Sequence, residues 1–416
     1  MKSFFIPILV LSICASVQAQ TVNLQELEAH FLVNNSQLIA SKYAIDRADA
    51  LIVQEKLWQN PTLSVSEVNL WKTYRVEEQP YLFGTYGKNQ QISVELEQVI
   101  ETAGKRKKRV ALKRLEKQSA VLEYEELMRE LKKELRLSYH RLNRIKQEEV
   151  QLLNSLSLFS QLNEKYEKQA KAQNIATADF YRVQTELVDL QKEQVILENE
   201  KWEALNSLRI LTHLPNLQLN EIAFSTNQIQ KHSLPLDVLN DVGLQNIGVK
   251  RQANEIKIAE SQLLLEKAER APNLTLQMNY DRGGNIMRDF IGFGVSVDLP
   301  IFNNNKGNIK ASDAMVKQQQ STLFSMEHSV KQTVVNLHEQ LNRLSTTLNN
   351  WPSKDTEGQL QILENYKKHL QNKQITLLEF IDFTQAYRQA NQAFFQLQET
   401  YNTTLEELQY TVGKDL

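Results

Sequence analysis

Four short segments alternate between apolar and polar residues, and they come in two pairs. The alternation is clearest in residues 273–280 and 290–299, recurs in 91–99 and is weakest in 62–69. A period of two over such a length predicts β-strands with one apolar and one polar face. Two hairpins are therefore expected, with strands about as long as those of an outer-membrane β-barrel wall.

The apolar face of these strands needs something to cover it. A soluble sandwich is one alternative, but four strands are too few for two packed sheets. If the face meets lipid, four strands still cannot close a membrane barrel, because the smallest have about eight and open edges are not tolerated in hydrocarbon. Two chains would give about eight strands and three would give about twelve, and only the larger barrel leaves an aqueous lumen.

Beyond each hairpin the pattern changes to a helical period. The chain has only 12 glycines and 8 prolines among 416 residues, and neither type occurs between Lys105 and Leu214. Apolar residues in that stretch recur at alternating intervals of three and four, which predicts a helix of about 100 Å packed along a heptad stripe. Ten of the twelve positions of the stripe are apolar, and it consists of Val121, Tyr124, Met128, Leu131, Leu135, Ser138, Leu142, Ile145, Glu149, Leu152, Leu156 and Phe159.

Each long helix is expected to turn back and form a helical hairpin. Asn174 is expected to take the left-handed conformation that ends the first helix, and Thr177 is expected to cap the next one. At the equivalent turn of the second half, Thr376 and Glu379 fit a capping box. Pro352 is expected to interrupt the long helix of that half, because proline removes a helical hydrogen bond.

The two halves of the chain repeat each other. Five residues near the first helical turn recur 200 positions later, which indicates a large duplicated unit rather than an array of short repeats. They are Glu164, Tyr166, Lys168, Ile175 and Phe180, matched by Glu364, Tyr366, Lys368, Ile375 and Phe380. The predicted organisation is a first repeat at 20–213 with a helical hairpin at about 104–213, a linker at 214–238, and a second repeat at 239–416 with a helical hairpin at about 306–412.

The first residues have the features of an export signal. Lys2 precedes an apolar run, and residues 17–19 end it with small side chains, so 1–19 is predicted to be a cleaved signal peptide. Lipidation of Cys14, the single cysteine, is an alternative that Ile13 disfavours. Removing the signal takes away one lysine and no acid, so the net charge of −2 becomes −3. That charge gives no reason to expect a nucleic-acid partner.

The order and spacing of these segments resemble the TolC-type outer-membrane efflux family over essentially the whole mature chain. The residues that carry the resemblance are Asn60-Pro61-Thr62-Leu63 before the first hairpin, 98–106 and 299–308 after the two hairpins, and the run from Trp351 to Ile375. The segment Gly104-Lys105-Arg106 is most similar to the heavy-metal (CzcC-type) branch. The chain departs from the family at the helical tips, where the family often has glycine.

The resemblance implies a homotrimer in the outer membrane of a Gram-negative bacterium. Its fold would be a membrane β-barrel, with four strands from each chain, continued by a long α-helical barrel in the periplasm. The tips would dock on a periplasmic adaptor coupled to an inner-membrane RND-type pump, and the channel would be a passive exit duct for heavy-metal cations or drugs. Type I protein secretion is an alternative role, and a non-channel coiled-coil structural or adhesive surface protein is an alternative of another class.

Candidate functional residues follow from this architecture. Acidic residues just past the tips would recur around a narrow pore and favour cations or gate it, although capping of helix starts is the preferred interpretation for the first two. They are Asp179, Glu379 and Asp382. Candidate adaptor contacts at the tips are Asn174, Ile175, Thr177, Gln374, Ile375 and Thr376. Candidate polar residues of the barrel lumen, beside the lipid-facing side chains, are Glu95, Glu97 and Asp298.

The remaining motifs do not indicate catalysis. His338-Glu339 lacks the second histidine of a zinc-protease helix, and Gly292-x-Gly294 lacks the third glycine of a dinucleotide loop. Neither an enzyme nor a cofactor or metal site is therefore expected. The basic run from Lys105 to Arg109 is interpreted either as a contact with phospholipid headgroups or as a solvated helix start.

Overall fold

The structure is a computed structural model that describes a large part of the chain. The described residues are 21–68, 71, 78–84, 86–88, 90–224, 245–283, 289–351 and 356–415, with the backbone alone at 356–361. The predicted signal peptide with Cys14, residue Pro352 and the linker residues 225–238 lie outside them. Among the helices described, none combines the length and the apolar character needed to cross a bilayer.

The order of helical segment, strand hairpin, long helical segment and returning helix occurs twice, which confirms the predicted duplication. In the first half, helices α1 (Leu24–Asn34) and α2 (Ser36–Glu55) precede strands β1 (Thr62–Ser66) and β2 (Ile92–Ile100), and then come α3 (Lys105–Lys171) and α4 (Thr177–Thr212). In the second half, α5 (Ile247–Glu269) precedes β3 (Leu274–Arg282) and β4 (Asp289–Val297), and then come α6 (Lys306–Asn349), α7 (Thr356–Gln371) and α8 (Leu377–Val412). Helices α6 and α7 are the interrupted counterpart of α3.

The four strands form one antiparallel sheet in the order β1-β2-β3-β4. Strands β2 and β3 pair over their full length, from Ile92 opposite Arg282 to Ile100 opposite Leu274, so the central pairing joins the two halves of the chain. Strand β1 has five residues and is shorter than the predicted segment. Glu67, just beyond it, has a φ of 51°, a left-handed conformation that does not continue a strand.

The chain divides into two compact units, and each takes residues from both halves. The sheet unit comprises Gln37–Leu127 and Asn240–Gln332 and contains all four strands. The tip unit comprises Met1–Ser36, Met128–Leu239 and Thr333–Leu416 and contains both helical turns.

Buried amide groups connect the helices of the sheet unit. The side-chain amide of Asn254 on α5 donates to the Leu115 carbonyl oxygen at 3.0 Å and to the Ser119 hydroxyl at 2.8 Å, both on α3. Asn254 is 4% exposed. A buried amide that lost these partners would be left with an uncompensated desolvation cost, so these bonds fix the position of α5 on α3.

The tip unit is built on the predicted heptad stripe of α3. Leu135, Leu142 and Ile145 are fully buried there, as the period requires. Beside them a partly buried arginine, Arg136, bonds Glu28 on α1 at 2.6 Å and Glu406 on α8 at 3.0 Å. Burial of Arg136 opposes its charged form, but the two carboxylates outweigh burial and raise its pKa. This cluster ties three helices together.

Candidate functional site: the two-faced sheet and the helical tips

One face of the sheet is largely apolar, with Gln98 of β2 as a polar residue among its rows. Leu63, Leu96, Met278 and Phe293 lie side by side across the four strands. Their exposed fractions in the single chain are 65%, 42%, 43% and 82%. An exposed apolar surface that crosses a whole sheet is typical of a contact with lipid or with another protein. The neighbouring rows add Val65, Val94, Tyr280, Ile291, Leu276, Val295, Leu274 and Val297.

The opposite face is polar, and it carries two of the three predicted lumen residues. Glu95 lies opposite Asn279, and Glu97 lies opposite Gln277, whose side-chain amide donates to the Glu97 carboxylate at 2.7 Å. Asp298 follows the last residue of β4, so it lies beyond the paired part of the sheet. The two acids therefore point away from the apolar rows, as the alternation of a strand requires.

On the polar face, glycine in β4 leaves room for a side chain of the neighbouring strand β3. Gly292 pairs with Asn279. A Cβ added at Gly292 would clash with the Asn279 side-chain oxygen and the Phe290 ring. Glycine is needed here because the asparagine side chain lies directly over the neighbouring strand.

Two residues of the basic run after the first hairpin, Lys105 and Arg109, have ionic partners within the chain, so neither is a freely solvated cation of the helix start. Arg109 bonds Glu55 at 2.5 Å and Glu101 at 2.7 Å. The Lys105 side chain is 4% exposed and lies 3.2 Å from Glu269. These acids lie on other segments, so the sequence pattern alone could not indicate them. The two cations stabilise the junction between the sheet and the helices rather than serving as free headgroup contacts.

A further residue of the basic run, Arg106, contacts an aromatic ring. The Arg106 guanidinium lies 3.9 Å from the centre of the Trp58 ring, and such a stack holds the cation in place. Lys107 is exposed.

The two helical turns have the same backbone geometry, 200 residues apart. Gln173 and Lys373 take left-handed φ values of 59° and 54°. The next N–H, from Asn174, donates to the Gln169 carbonyl at 2.9 Å, and the equivalent bond from Gln374 to His369 has the same length. This pattern is a Schellman motif, in which a left-handed residue lets the chain satisfy the last helical carbonyls. The prediction that Asn174 is the left-handed residue is wrong by one position.

The start of the returning helix differs between the turns. Ala176 occupies the cap position of α4 and makes no side-chain bond, so the prediction that Thr177 caps this helix is wrong: Thr177 is the first helical residue. The predicted capping box of α8 is confirmed, because Thr376 accepts the Glu379 N–H at 3.2 Å and its own N–H donates to the Glu379 carboxylate at 2.8 Å.

The three candidate acidic residues have different surroundings. Glu379 serves the capping box, and the bonds donated by the Thr376 backbone and hydroxyl lower its pKa. Asp179 has no such cap bond; its carboxylate lies 3.3 Å from the Arg182 guanidinium one turn later. Asp382 is exposed on α8. Ile175 and Ile375 are half-buried at the tips, beside exposed polar neighbours.

A buried ionic contact between α4 and α8 was not foreseen from the sequence. Arg388 lies 3.2 Å from Glu186 and 3.4 Å from Glu193. Gln385 and Gln392 donate further bonds to the same two carboxylates. Glu186 is only 3% exposed, so removal of these partners would leave a buried side chain without its hydrogen bonds.

In the part of the chain that the structure describes, no group of three or more histidine, cysteine, aspartate or glutamate residues is placed to hold a metal ion.

The fold matches solved outer-membrane channels. No family model and no curated protein matches the sequence. The outer-membrane channel CmeC of Campylobacter jejuni superimposes with a TM-score of 0.76 at 13% identity, over 94% of this chain and 85% of that one. The open state of the MtrE outer-membrane channel of Neisseria gonorrhoeae gives 0.68 at 18% identity, over 97% and 93%. CusC, whose crystal structures address transmembrane channel formation, gives 0.71 at 16% identity, over 95% and 93%.

These likenesses extend over 94% to 97% of this chain. At such identities the likeness establishes the fold, and it confirms the one implied by the sequence resemblance. The chain has the fold of the TolC-type outer-membrane channels.

Proposed function

We propose that the protein is the outer-membrane exit duct of a tripartite efflux system, and a passive channel rather than an enzyme. The observation that carries the proposal is the two-faced sheet, with an exposed apolar row across all four strands and carboxylates on the opposite face. A barrel wall needs such a surface, because lipid lies on one side and water on the other.

The proposal requires several copies of the chain. Strands β1 and β4 are the edges of the sheet, and open edges are not tolerated in hydrocarbon. Three copies would pool about twelve strands and close a barrel wide enough for a lumen. Each of the two predicted repeats, 20–213 and 239–416, would contribute one strand hairpin and one helical hairpin.

Passage through the duct would be diffusion down a water-filled tube. Glu95 and Glu97 would line the barrel, where carboxylates favour cations. The helical tips would face the periplasm and contact an adaptor through the candidate residues around Ile175 and Ile375. The inner-membrane pump, of the RND type, would select the cargo, whether heavy-metal cations or drugs.

Planar-bilayer recording tests this function. We expect purified protein to insert as trimers and to give discrete conductance steps once the tips are opened. Replacement of both Glu95 and Glu97 by glutamine should reduce the preference for cations without abolishing insertion. The absence of any conductance from folded trimers would contradict the channel function and favour a structural or adhesive role. Export of a co-expressed protein substrate in place of small molecules would favour type I secretion.

A further inference from the structure

A structured turn lies between the strands of the first hairpin, at the end of the sheet that does not join α3. Strands β2 and β3 end there with the residue pair Ile92 and Arg282. Just before β2, the described residues 78–84 and 86–88 form a compact group of contacts. These residues are called the aromatic turn below.

Backbone bonds and one ring stack hold the aromatic turn. The Gln79 N–H donates to the Lys88 carbonyl oxygen at 2.9 Å, and the Leu82 N–H donates to the Tyr86 carbonyl oxygen at 2.8 Å. The rings of Phe83 and Tyr86 are stacked, with their centres 5.1 Å apart. The turn therefore has a defined conformation, and the positions of its side chains can be compared.

The burial of these side chains is the reverse of what water favours. Gln79 and the neighbouring Gln90 are 7% and 8% exposed, whereas Tyr81, Leu82 and Phe83 are exposed by 55%, 43% and 71%. A turn in water would be expected to bury its apolar residues and to expose its amides. Three consecutive apolar side chains on the outside of a turn with buried amides indicate a non-aqueous contact.

The aromatic turn is attached to the apolar face of the sheet. Arg282 alternates along β3 with Met278 and Tyr280, so all three lie on that face. The Arg282 guanidinium donates to the Pro80 carbonyl oxygen of the turn. On the same face, the Tyr280 hydroxyl bonds the Asp289 carboxylate at 2.7 Å. Polar bonds therefore end the apolar rows at the point where the turn begins.

Lipid is the occupant that this position favours. The exposed side chains of Tyr81, Leu82 and Phe83 continue the apolar surface that faces lipid in the proposed barrel. Aromatic rings are enriched where a bilayer meets water, because their apolar body and polar edge suit the two environments. Barrel walls carry bands of such residues at both rims.

We propose that the aromatic turn folds against the lipid-facing side of the barrel rim and places Tyr81, Leu82 and Phe83 in the interfacial layer of the outer leaflet. The inference rests on the proposed function, but it concerns what covers the turn and not conduction. The turn would then help to fix the depth of the barrel in the membrane, and it would not cover the mouth of the lumen.

Quenching by spin-labelled lipids tests what covers the turn. In a Cys14→Ser background, Phe83→Cys is labelled with a small fluorescent dye and reconstituted in phosphatidylcholine vesicles. Met278→Cys on the apolar face is the control for lipid, and Asp313→Cys, at an exposed position of α6, is the control for water. We expect headgroup-labelled lipid to quench the dye at Phe83 more than chain-labelled lipid does. Chain-labelled lipid should quench the dye at Met278, and only aqueous iodide the dye at Asp313.

The pattern of quenching separates the possible failures. Quenching at Phe83 by iodide alone, with Met278 quenched by chain-labelled lipid, overturns the inference and leaves the proposed barrel intact. The absence of lipid quenching at both sites contradicts the barrel and the inference together. Tyr81→Cys, labelled in the same way, is a second site on the turn if circular dichroism shows that the first variant does not fold.

A contact between the turns of several copies is the alternative occupant. Pyrene attached to Phe83→Cys reports it, because two pyrenes in contact give excimer emission. We expect no excimer emission from the reconstituted protein. Excimer emission that disappears when labelled protein is assembled with an excess of unlabelled protein would show that the turns meet one another, and it would overturn the lipid contact.

The two readouts together also locate the turn relative to the lumen. Turns that fold outward are separated by the width of the barrel and are in contact with lipid. Turns that fold inward over the lumen are close to one another and accessible to iodide. Only the first combination supports the inference.

Discussion

The left-handed residues at the helical tips are unusual for their side chains. Gln173 and Lys373 have φ values of 59° and 54°, a region where a side chain beyond glycine costs about 1–2 kcal/mol. The tips keep their geometry because the Schellman bonds to Gln169 and His369 compensate part of this cost.

Glycine at these positions should stabilise the tips. We expect Gln173→Gly or Lys373→Gly to raise the local stability of the turn by about 1 kcal/mol, because glycine adopts positive φ without strain. Amide hydrogen exchange at the tip measures the effect. Asn174→Gly is the matched control: the φ of Asn174 is not positive, so the change should give no gain. Equal stabilisation by the control would contradict the explanation from backbone strain.

Loss of the Thr376 side-chain cap should loosen the start of α8. Thr376→Ala removes the hydroxyl that accepts the Glu379 N–H, and such a change typically costs about 1 kcal/mol. The equivalent Ala176 has no cap bond, so Ala176→Thr should have the opposite effect on α4. Hydrogen exchange in the first turn of each helix compares the two, and a loss of protection in both variants would argue against the cap.

The same cap should weaken in acid. The pKa of Glu379 lies below its ordinary value of 4.5 because Thr376 donates two bonds to the carboxylate. A lowered folded pKa gives a contribution that is complete above the unfolded pKa and is lost as the pH falls through the folded pKa. Protection factors at the start of α8, which are corrected for the intrinsic pH dependence of exchange, should therefore fall below about pH 4.5, and they should lose this pH dependence in Glu379→Gln, which has no carboxylate to titrate. An identical acid response in that variant would locate the effect elsewhere.

At the scale of single elements, the two faces of a strand provide the sharpest contrast. Met278 belongs to the exposed apolar row, and Gln277, the preceding residue of β3, lies on the polar face beside Glu97. The two residues are neighbours in β3, but in the proposed barrel Met278 faces lipid and Gln277 faces water.

Arginine at these two positions should therefore have unequal effects. Met278→Arg should destabilise the folded protein in a bilayer by about 2–4 kcal/mol, the cost of a cation on a lipid face near the midplane. Gln277→Arg should be tolerated, because the guanidinium can pair with Glu97. Urea unfolding in lipid vesicles gives both values. Similar losses in the two variants would contradict the assignment of the faces.

The elements that were predictable from the sequence are those whose signals are local. Alternation in residues 273–280 and 290–299 indicated β3 and β4, and the heptad stripe indicated α3, because burial imposes these periods on neighbouring residues. Contacts between distant segments leave no such period. Arg388 and Glu186 are separated by 202 residues, and neither residue alone indicates the other.

Turn residues were predicted less well for a related reason. Asparagine is favoured in the left-handed conformation, so Asn174 was the natural choice in the absence of glycine. The hydrogen bonds of the turn decide the position instead, and they place Gln173 there. In the second turn the left-handed residue is Lys373, at the position equivalent to Gln173. The position within the turn, rather than the residue type, therefore decides which residue is left-handed.

At the scale of the whole molecule, the candidate gate residues could form a gate only in the proposed assembly of three copies. Asp382 is exposed near the start of α8, and three copies would place like charges at one level of the tube. Such a ring would attract cations and repel anions at the narrow end.

Removal of that charge should alter the current. We expect Asp382→Ala to raise the conductance of the closed state or to reduce cation selectivity in planar bilayers. Asp313→Ala is the control, because it removes one exposed acid from the sheet unit, remote in sequence from both tips. Unchanged currents in Asp382→Ala would exclude a gating role for this residue.

The interruption between α6 and α7 has a mechanical consequence. Helix α3 is one continuous rod of 67 residues, whereas its counterpart consists of rods of 44 and 16 residues. A continuous helix resists bending because each turn is bonded to the next, and in the counterpart this ladder of bonds ends at Asn349, before the non-helical Trp351. In the proposed assembly of three copies, stiff and jointed arms would alternate. An axial force applied evenly to all the tips would then bend the α6–α7 helices before the α3 helices. The resulting deformation would have threefold symmetry, even though the force is uniform.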